Sequence, residues 1–575
     1  MNRRACAAVV FATAAALALP TAAFGHAALV RTLPEAGTTL NTPPAQLSLA
    51  YTEPVDARFA IVSVTDVDGR RVTAGSPRRG TGGADTLVTP LRRLSQGWYL
   101  VFWRVISADG HPVRGAFTFA VGPNPGPAPE FVIPSLSETA TTPELLIARW
   151  IVYISLLAAI GLFALRAGIA RSLPSQLPGI SLQPLTIAFF ASLAVALVAI
   201  PVYVDLATAQ FALRSVFDLG DLVPLARASR FGRALIDLEL VTALFALAAT
   251  ISIALDRPGH ARRTVAQLLA LWSALACAAA VLLVPGLAGH PSTTSPRGLS
   301  LAFDWLHLVA VSIWVGGLIG LLLLAVRVPA ALRTAALGRL VPRFSRIAFA
   351  SVVLLVGSGI GASLLQFPTL GSLLRTAYGR ALDLKLILLA VALLLAGVNL
   401  TRTRPRLESA LTRSRLGPAA SRLLRRLVAG EVVLVVGALF AASLLTSLAP
   451  PPKALGQVGR VSARVGPGPV NRVVEESGYR LQFRIQPNRA AVPNTFAVGI
   501  TRDGRPLRGA DVTATFSMLD MEMGQLAYRL PERRPGYFER SAPALVMVGK
   551  WGLSFDIRPP GGSPFSVVLV DRAHG

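Results

Sequence analysis

Eight apolar runs dominate this chain of 575 residues, at roughly 145–166, 184–205, 234–255, 265–288, 301–326, 344–366, 381–400 and 427–448. Each approaches the ~20 residues that a helix needs to cross the hydrocarbon core of a bilayer, where a helix is how a lone segment satisfies its own backbone. With 53% hydrophobic residues and a mean hydropathy of +0.56, the chain reads as an integral membrane protein carrying one or two soluble domains.

A formal charge of +26 would suit a nucleic-acid binder, but the placement of the arginines argues for a membrane. Segments 166–183, 256–264, 327–346 and 402–426 hold 18 arginines, against 7 lysines and arginines in 206–233, 289–300 and 367–380. The positive-inside rule puts the first set in the cytoplasm and both chain ends outside it. The bilayer is then a partner and nucleic acid is not.

Residues 1–25 read as a secretory signal peptide. Met1-Asn2-Arg3-Arg4 is basic, Ala5 to Leu19 is apolar and uncharged, and Ala23 and Gly25 supply small residues at the proposed cut. Cleavage there leaves His26 first, with its imidazole and free α-amine forming a ready chelate for Cu(II). A cut after Ala22 or Ala23 is the alternative, and it would lose the chelate. Cys6 leaves with the leader and Cys277 lies in the fourth run, so the mature chain has no pair to form a disulfide.

Residues 26–122 alternate like short strands at 47–51, 59–67, 98–106 and 116–121, with Asp68-Gly69 as a turn between strands. A small antiparallel sandwich or barrel is expected, followed by a Pro-rich linker over 123–142. Between the last two strands, Asp109 and His111 straddle Gly110. A tight turn there can aim a carboxylate and an imidazole at one point, which with His26 makes a nitrogen-rich set suited to Cu(II). Spacing alone equally allows a plain turn with a surface histidine.

The segments His26-Ala27-Ala28-Leu29, Pro34-Glu35-Ala36-Gly37, Leu49-Ala50-Tyr51-Thr52-Glu53-Pro54-Val55 and 99–115, which contains Ser107-Ala108-Asp109-Gly110-His111-Pro112, resemble the CopC family of copper-resistance proteins. The resemblance implies an all-β Greek-key barrel whose Cu(II) ligands correspond to His26, Asp109 and His111.

Ionisable groups inside membrane spans are costly and mark sites by default. Asp237, Glu239, His290, Asp304, His307, Asp383 and Lys385 all fall toward the outer side. Asp304 and His307, three apart, share a helix face. His290, Asp304, His307 and Glu239 form the expected path for a metal ion that favours imidazole; the alternative has His307 bonding Asp304 and His290 resting at the headgroups. Asp383 and Lys385 read as a neutralising pair or as interface residues. Gly289-His290, Asp304-Trp305-Leu306-His307-Leu308, Trp314-Val315-Gly316-Gly317-Leu318, Phe344-Ser345-Arg346, Tyr378-Gly379-Arg380, Leu384-Lys385, Asn399 and Glu431 resemble the CopD family, whose members are linked to copper uptake. Glu431, toward the inner half of its span, suits an exit, a proton-linked step or plain helix packing. A GxxxxGK[ST] loop is absent, so direct drive by ATP is not expected.

Beyond a linker at 449–477, residues 478–575 again alternate like strands, at 479–485, 495–501, 510–517 and 551–557. An Ig-like β-sandwich is expected, and Asn494-Thr495-Phe496, Gly509-Ala510-Asp511-Val512, Gly536-Tyr537-Phe538 and Gly549-Lys550-Trp551 resemble the YtkA/FixH kind. Met518, Met521, Met523 and Met547 are the methionines left besides Met1. Thioethers suit Cu(I), although methionine also fills apolar gaps.

The whole reads as a copper-binding protein of a bacterial cytoplasmic membrane, not an enzyme. It captures Cu(II) outside and moves copper across, with an extracytoplasmic copper chaperone or copper enzyme as a further partner. The alternatives are a haem-binding copper reductase using His290 and His307, a copper buffer or sensor, and a histidine-chelate oxidase.

Overall fold

The computed structural model describes residues 29–575 except 107–111, 127–128, 130–141, 213–214, 218, 221, 229, 259, 261, 293, 295, 368–376, 411–416, 449–460, 521–524 and 575. His26, Asp109, His111, Met521 and Met523 therefore lie outside the described residues. The chain divides into a helical unit, essentially 141–366 with 373–448, and a β unit formed by the two ends of the chain.

Among the described residues, eight helices in the helical unit are long and apolar enough to cross a membrane: Pro143–Gln176, Gln183–Gln210, Phe231–Leu255, Val265–Ala288, Arg297–Arg327, Ala330–Gln366, Tyr378–Ser409 and Pro418–Leu445, the first to eighth spans below. The sixth starts well before 344 and the seventh runs well past 400, so stretches expected as arginine-rich loops are largely helical. Alanine, leucine and arginine are all strong helix formers, whereas apolarity marks only the part that meets hydrocarbon. The first and fifth spans touch backbone to backbone: a Cβ on Gly161 would stand 1.9 Å from the Ser312 carbonyl oxygen, and one on Gly316 2.4 Å from Gly161 Cα. Small residues at the crossing are what allows that contact. Phe163, Phe189 and Phe245 interlock the first three spans, with ring centroids 5.8 to 6.0 Å apart. Where the first and third spans end, buried Asp256 accepts from Arg171 Nε at 2.7 Å and Arg166 Nη1 at 3.3 Å.

In the β unit the amino-terminal domain is two facing four-stranded sheets. One runs β1 (Leu29–Leu33), β3 (Gln46–Tyr51), β6 (Thr86–Pro90), β5 (Arg78–Arg79); the other runs β2 (Thr39–Leu40), β8 (Pro112–Val121), β7 (Gly97–Ile106), β4 (Ile61–Thr65). The sheets do not join into a closed barrel among the described residues. Tyr51 of one sheet meets Trp103 of the other edge-on at 5.5 Å. Gly115, opposite Trp103 in the ladder, lies under that indole, whose Cζ2 would be 2.6 Å from an added Cβ. The start of the Pro-rich segment is held on the domain by Gln96 Nε2 to Asn124 O and Trp98 Nε1 to Gly126 O, each 3.0 Å.

The carboxy-terminal domain is a second sandwich. Its sheets include β11 (Tyr479–Gln486) and β12 (Asn494–Arg502) on one side and β14 (Asp511–Met518), β18 (Gly549–Arg558) and β19 (Phe565–Ala573) on the other. Phe483 against Phe555 and Phe496 against Phe516, at 4.7 and 4.5 Å, join the two sheets. The two sandwiches also touch. Along β8 the large Phe117 and Phe119 fill the amino-terminal core, while the small alternate residues Ala116 and Thr118 meet the other domain. Ala116 N donates to Val546 O at 3.1 Å and Thr118 Oγ1 to Ala491 O at 3.0 Å, with Leu100, Ala116 and Ala491 buried together. Period-2 alternation thus serves two cores from one strand.

Candidate functional site

Asp304 and His307 share one face of the fifth span, and four other spans meet that face. From the sixth span, Ser358 Oγ lies 3.3 Å from His307 Nδ1. That hydroxyl donates to the Leu354 carbonyl at 2.7 Å, so it accepts from the ring, and the proton belongs on Nδ1. Nε2 then turns its lone pair toward Lys385 Nζ of the seventh span, 3.4 Å away. Lys385 and Asp304 act on each other electrostatically, and the same carboxylate acts on Tyr153 of the first span and Tyr378 of the seventh. Tyr378 donates to Gln366 Oε1 at 2.6 Å. The fourth span closes the cluster with Gly286, where an added Cβ would stand 2.7 Å from Asp304 Oδ2.

Lys385 is the member that sequence reasoning missed. Residues two apart on a helix project to different sides, so Asp383 cannot neutralise Lys385 along the helix, and Lys385 turns to His307 instead. The i,i+2 spacing was the signal that could have excluded the pair. Glu239 stands apart from this cluster: its span packs on the second and fourth, and its Oε2 has no hydrogen-bond partner among the described residues. His290 opens the short turn His290–Ser292 after the fourth span, and its side chain lies outside the described residues. Among the described residues no three His, Cys, Asp or Glu side chains gather to hold a metal ion. The cluster therefore offers one imidazole nitrogen and one carboxylate, already in contact with a tethered cation.

A second buried carboxylate lies on the eighth span. Glu431 is 2% exposed and accepts a hydrogen bond from Asn399 Nδ2. Asn399 opens a five-residue π-helical turn, Asn399–Thr403, within the seventh span.

In the amino-terminal domain, β7 and β8 pair as far as Ile106 with Pro112, so residues 107–111 join two paired strand ends. Leu29 pairs with Tyr51, and Tyr51 packs on Trp103, three residues before Ile106. The strand ends nearest in sequence to His26 and to residues 109–111 thus lie at one end of the sandwich. The Tyr51 hydroxyl is buried at that end without a hydrogen-bond partner among the described residues, and burial pushes its pKa up. In the carboxy-terminal domain, Met518 and Met547 sit in the hydrophobic core, 3% and 6% exposed, with Met518 Cε 2.5 Å from where a Cβ on Gly549 would be. Both pack as core side chains.

Residues 29–122 match the CopC domain family, and residues 338–445 match the family of copper resistance protein D, CopD. Copper resistance protein C of Xanthomonas campestris pv. juglandis is 34% identical over 124 residues, which cover 20% of this chain and 96% of that protein. The chain belongs to the CopC copper-resistance family. Copper transport protein CutJ of Bacillus subtilis (strain 168) is 25% identical over 538 residues, 93% of either chain. The crystal structure of CopC from Methylosinus trichosporium OB3b is similar at 27% identity, covering 18% of this chain and all of that one, with a TM-score of 0.17. The CopD match includes Ser358, Lys385, Asn399 and Glu431, whereas Asp304 and His307 precede it. The carboxy-terminal sandwich lies outside both family matches.

Proposed function

We propose that the protein captures Cu(II) outside a bacterial cytoplasmic membrane and passes copper inward through its helical unit. His26, Asp109 and His111 are the capturing ligands, and the strand ends nearest to them in sequence share one end of the sandwich. The observation that carries the transport reading is the cluster at His307. Its Nε2 lone pair faces Lys385 Nζ, on which Asp304 also acts, so an imidazole nitrogen, an amine and a carboxyl meet inside the spans. A copper ion arriving there replaces the ammonium at Nε2, with Asp304 as the counter-charge; His290 and Glu239 extend the path toward the outer surface. Because one chain carries both parts, the local concentration of the donor domain reaches the millimolar order for a short tether.

The copper-resistance and copper-transport relatives support the cargo, and the positive-inside count supports a capture domain outside the cytoplasm. The test is radiocopper uptake into proteoliposomes holding the full chain, with Cu(I) and Cu(II) each offered. Uptake that persists in His307→Ala, or a Soret band in the purified protein, would overturn the reading.

A further inference from the structure

Glu431 is a buried acid with no ion pair among the described residues. On its own helix the nearest basic residue is Arg426, five residues or about 7.5 Å away along the axis. The helices packed against it carry Arg149 on the first span, Arg346 on the sixth, Lys385 and Arg402 on the seventh, and Arg404 and Arg406 on the short helix Arg404–Ala410, where Arg404 pairs with Glu408, together with the acid Asp304 on the fifth. Among the described residues none of these forms an ion pair with Glu431, whose hydrogen-bond partner is the Asn399 amide. A bare carboxylate in a low-dielectric interior is held only with a counter-charge or a proton.

Asn399 is suited to a carboxyl that changes state. Its amide group donates through Nδ2 and accepts through Oδ1, so a half-turn of one side chain satisfies either the ionised or the protonated acid. Its Oδ1 atom is buried without a hydrogen-bond partner among the described residues, as is Thr403 Oγ1 at the far end of the same π-helical turn, on a residue 0% exposed. Such turns concentrate at functional sites because they break the regular backbone ladder.

We propose that Glu431, with Asn399, is a proton-carrying site in the helical unit, whose carboxyl loads and releases a proton as copper crosses. The ligand is the proton itself, and the coupling rests on the transport reading above. Two measurements on the full chain test it. Infrared spectra of reconstituted protein should contain the C=O stretch of a protonated carboxylic acid that vanishes in Glu431→Gln and shifts in Glu431→Asp. Radiocopper uptake should respond to an imposed proton gradient in the native chain and in Glu431→Asp, while Glu431→Gln takes up copper at the gradient-free rate whatever the gradient.

Persistence of the band in Glu431→Gln, or an unaltered gradient response in that variant, overturns the proposal. If the native chain moves no copper at all, the transport reading falls. The infrared band then decides alone whether Glu431 carries a proton. Should Glu431→Gln fail to fold, the shifted band and retained response of Glu431→Asp decide the same question.

Discussion

Asp304 and Glu431 are both acids enclosed in the same helical unit, but only Asp304 has a lysine beside it. Lys385 of the seventh span acts on Asp304 and also approaches His307, so carboxyl, amine and imidazole form one assembly across five spans. Glu431 has a single amide. A buried charge with a permanent counter-ion is fixed in place, whereas one whose only partner is an amide must trade its charge for a proton. The pair therefore contrasts an acid that has an amine within its reach with an acid that has only an amide.

The sharpest way to break this contrast is to remove one half of the outer pair. Lys385→Met or Asp304→Leu leaves an uncompensated buried charge and should cost about 3–5 kcal/mol, seen as a large fall in the thermal midpoint of detergent-solubilised protein. The double variant Asp304→Leu/Lys385→Met should recover most of that loss; strict additivity would show that the two side chains are not coupled. His307→Ala comes next, with copper uptake lowered roughly 10- to 100-fold, read as radiocopper accumulation and distinguished from misfolding by an unchanged melting curve. Gly286→Ala presses a methyl group against Asp304 Oδ2 and should cost about 1–3 kcal/mol, with a smaller loss of uptake than His307→Ala. Glu431→Gln keeps the shape and removes only the ability to ionise, so its stability should change by less than about 0.5 kcal/mol. A fall as large as that of Asp304→Leu would erase the distinction.

The eight spans, the two strand-rich ends and Asp304–His307 on one face were legible from periodicity, because 3.6-residue and 2-residue patterns are local properties. Lys385 was legible only in part: its cost inside a span marked it, but its partner stands 78 residues earlier in the chain. Arginine-rich stretches of the sixth and seventh spans escaped notice because hydropathy reports the solvent of a helix, not its length. The contact between the two sandwiches had a faint signal in Ala116-Phe117-Thr118-Phe119, where small residues alternate with large ones. A face of small side chains permits close docking without naming what docks.

By itself the sequence determined that this chain crosses a membrane eight times, that its ends fold as β-sandwiches, and that a few costly ionisable groups lie among the spans. Each of these follows from the free energy of placing a residue in water, hydrocarbon or a half-buried sheet, which depends on the residue and its near neighbours. Tertiary structure alone decided that Lys385 faces His307, that Asp304 rests on Gly286, and that Glu431 has an amide as its hydrogen-bond partner. Those outcomes depend on which helix faces meet, and in lipid, helix association follows from close packing and interhelical hydrogen bonds rather than from apolarity.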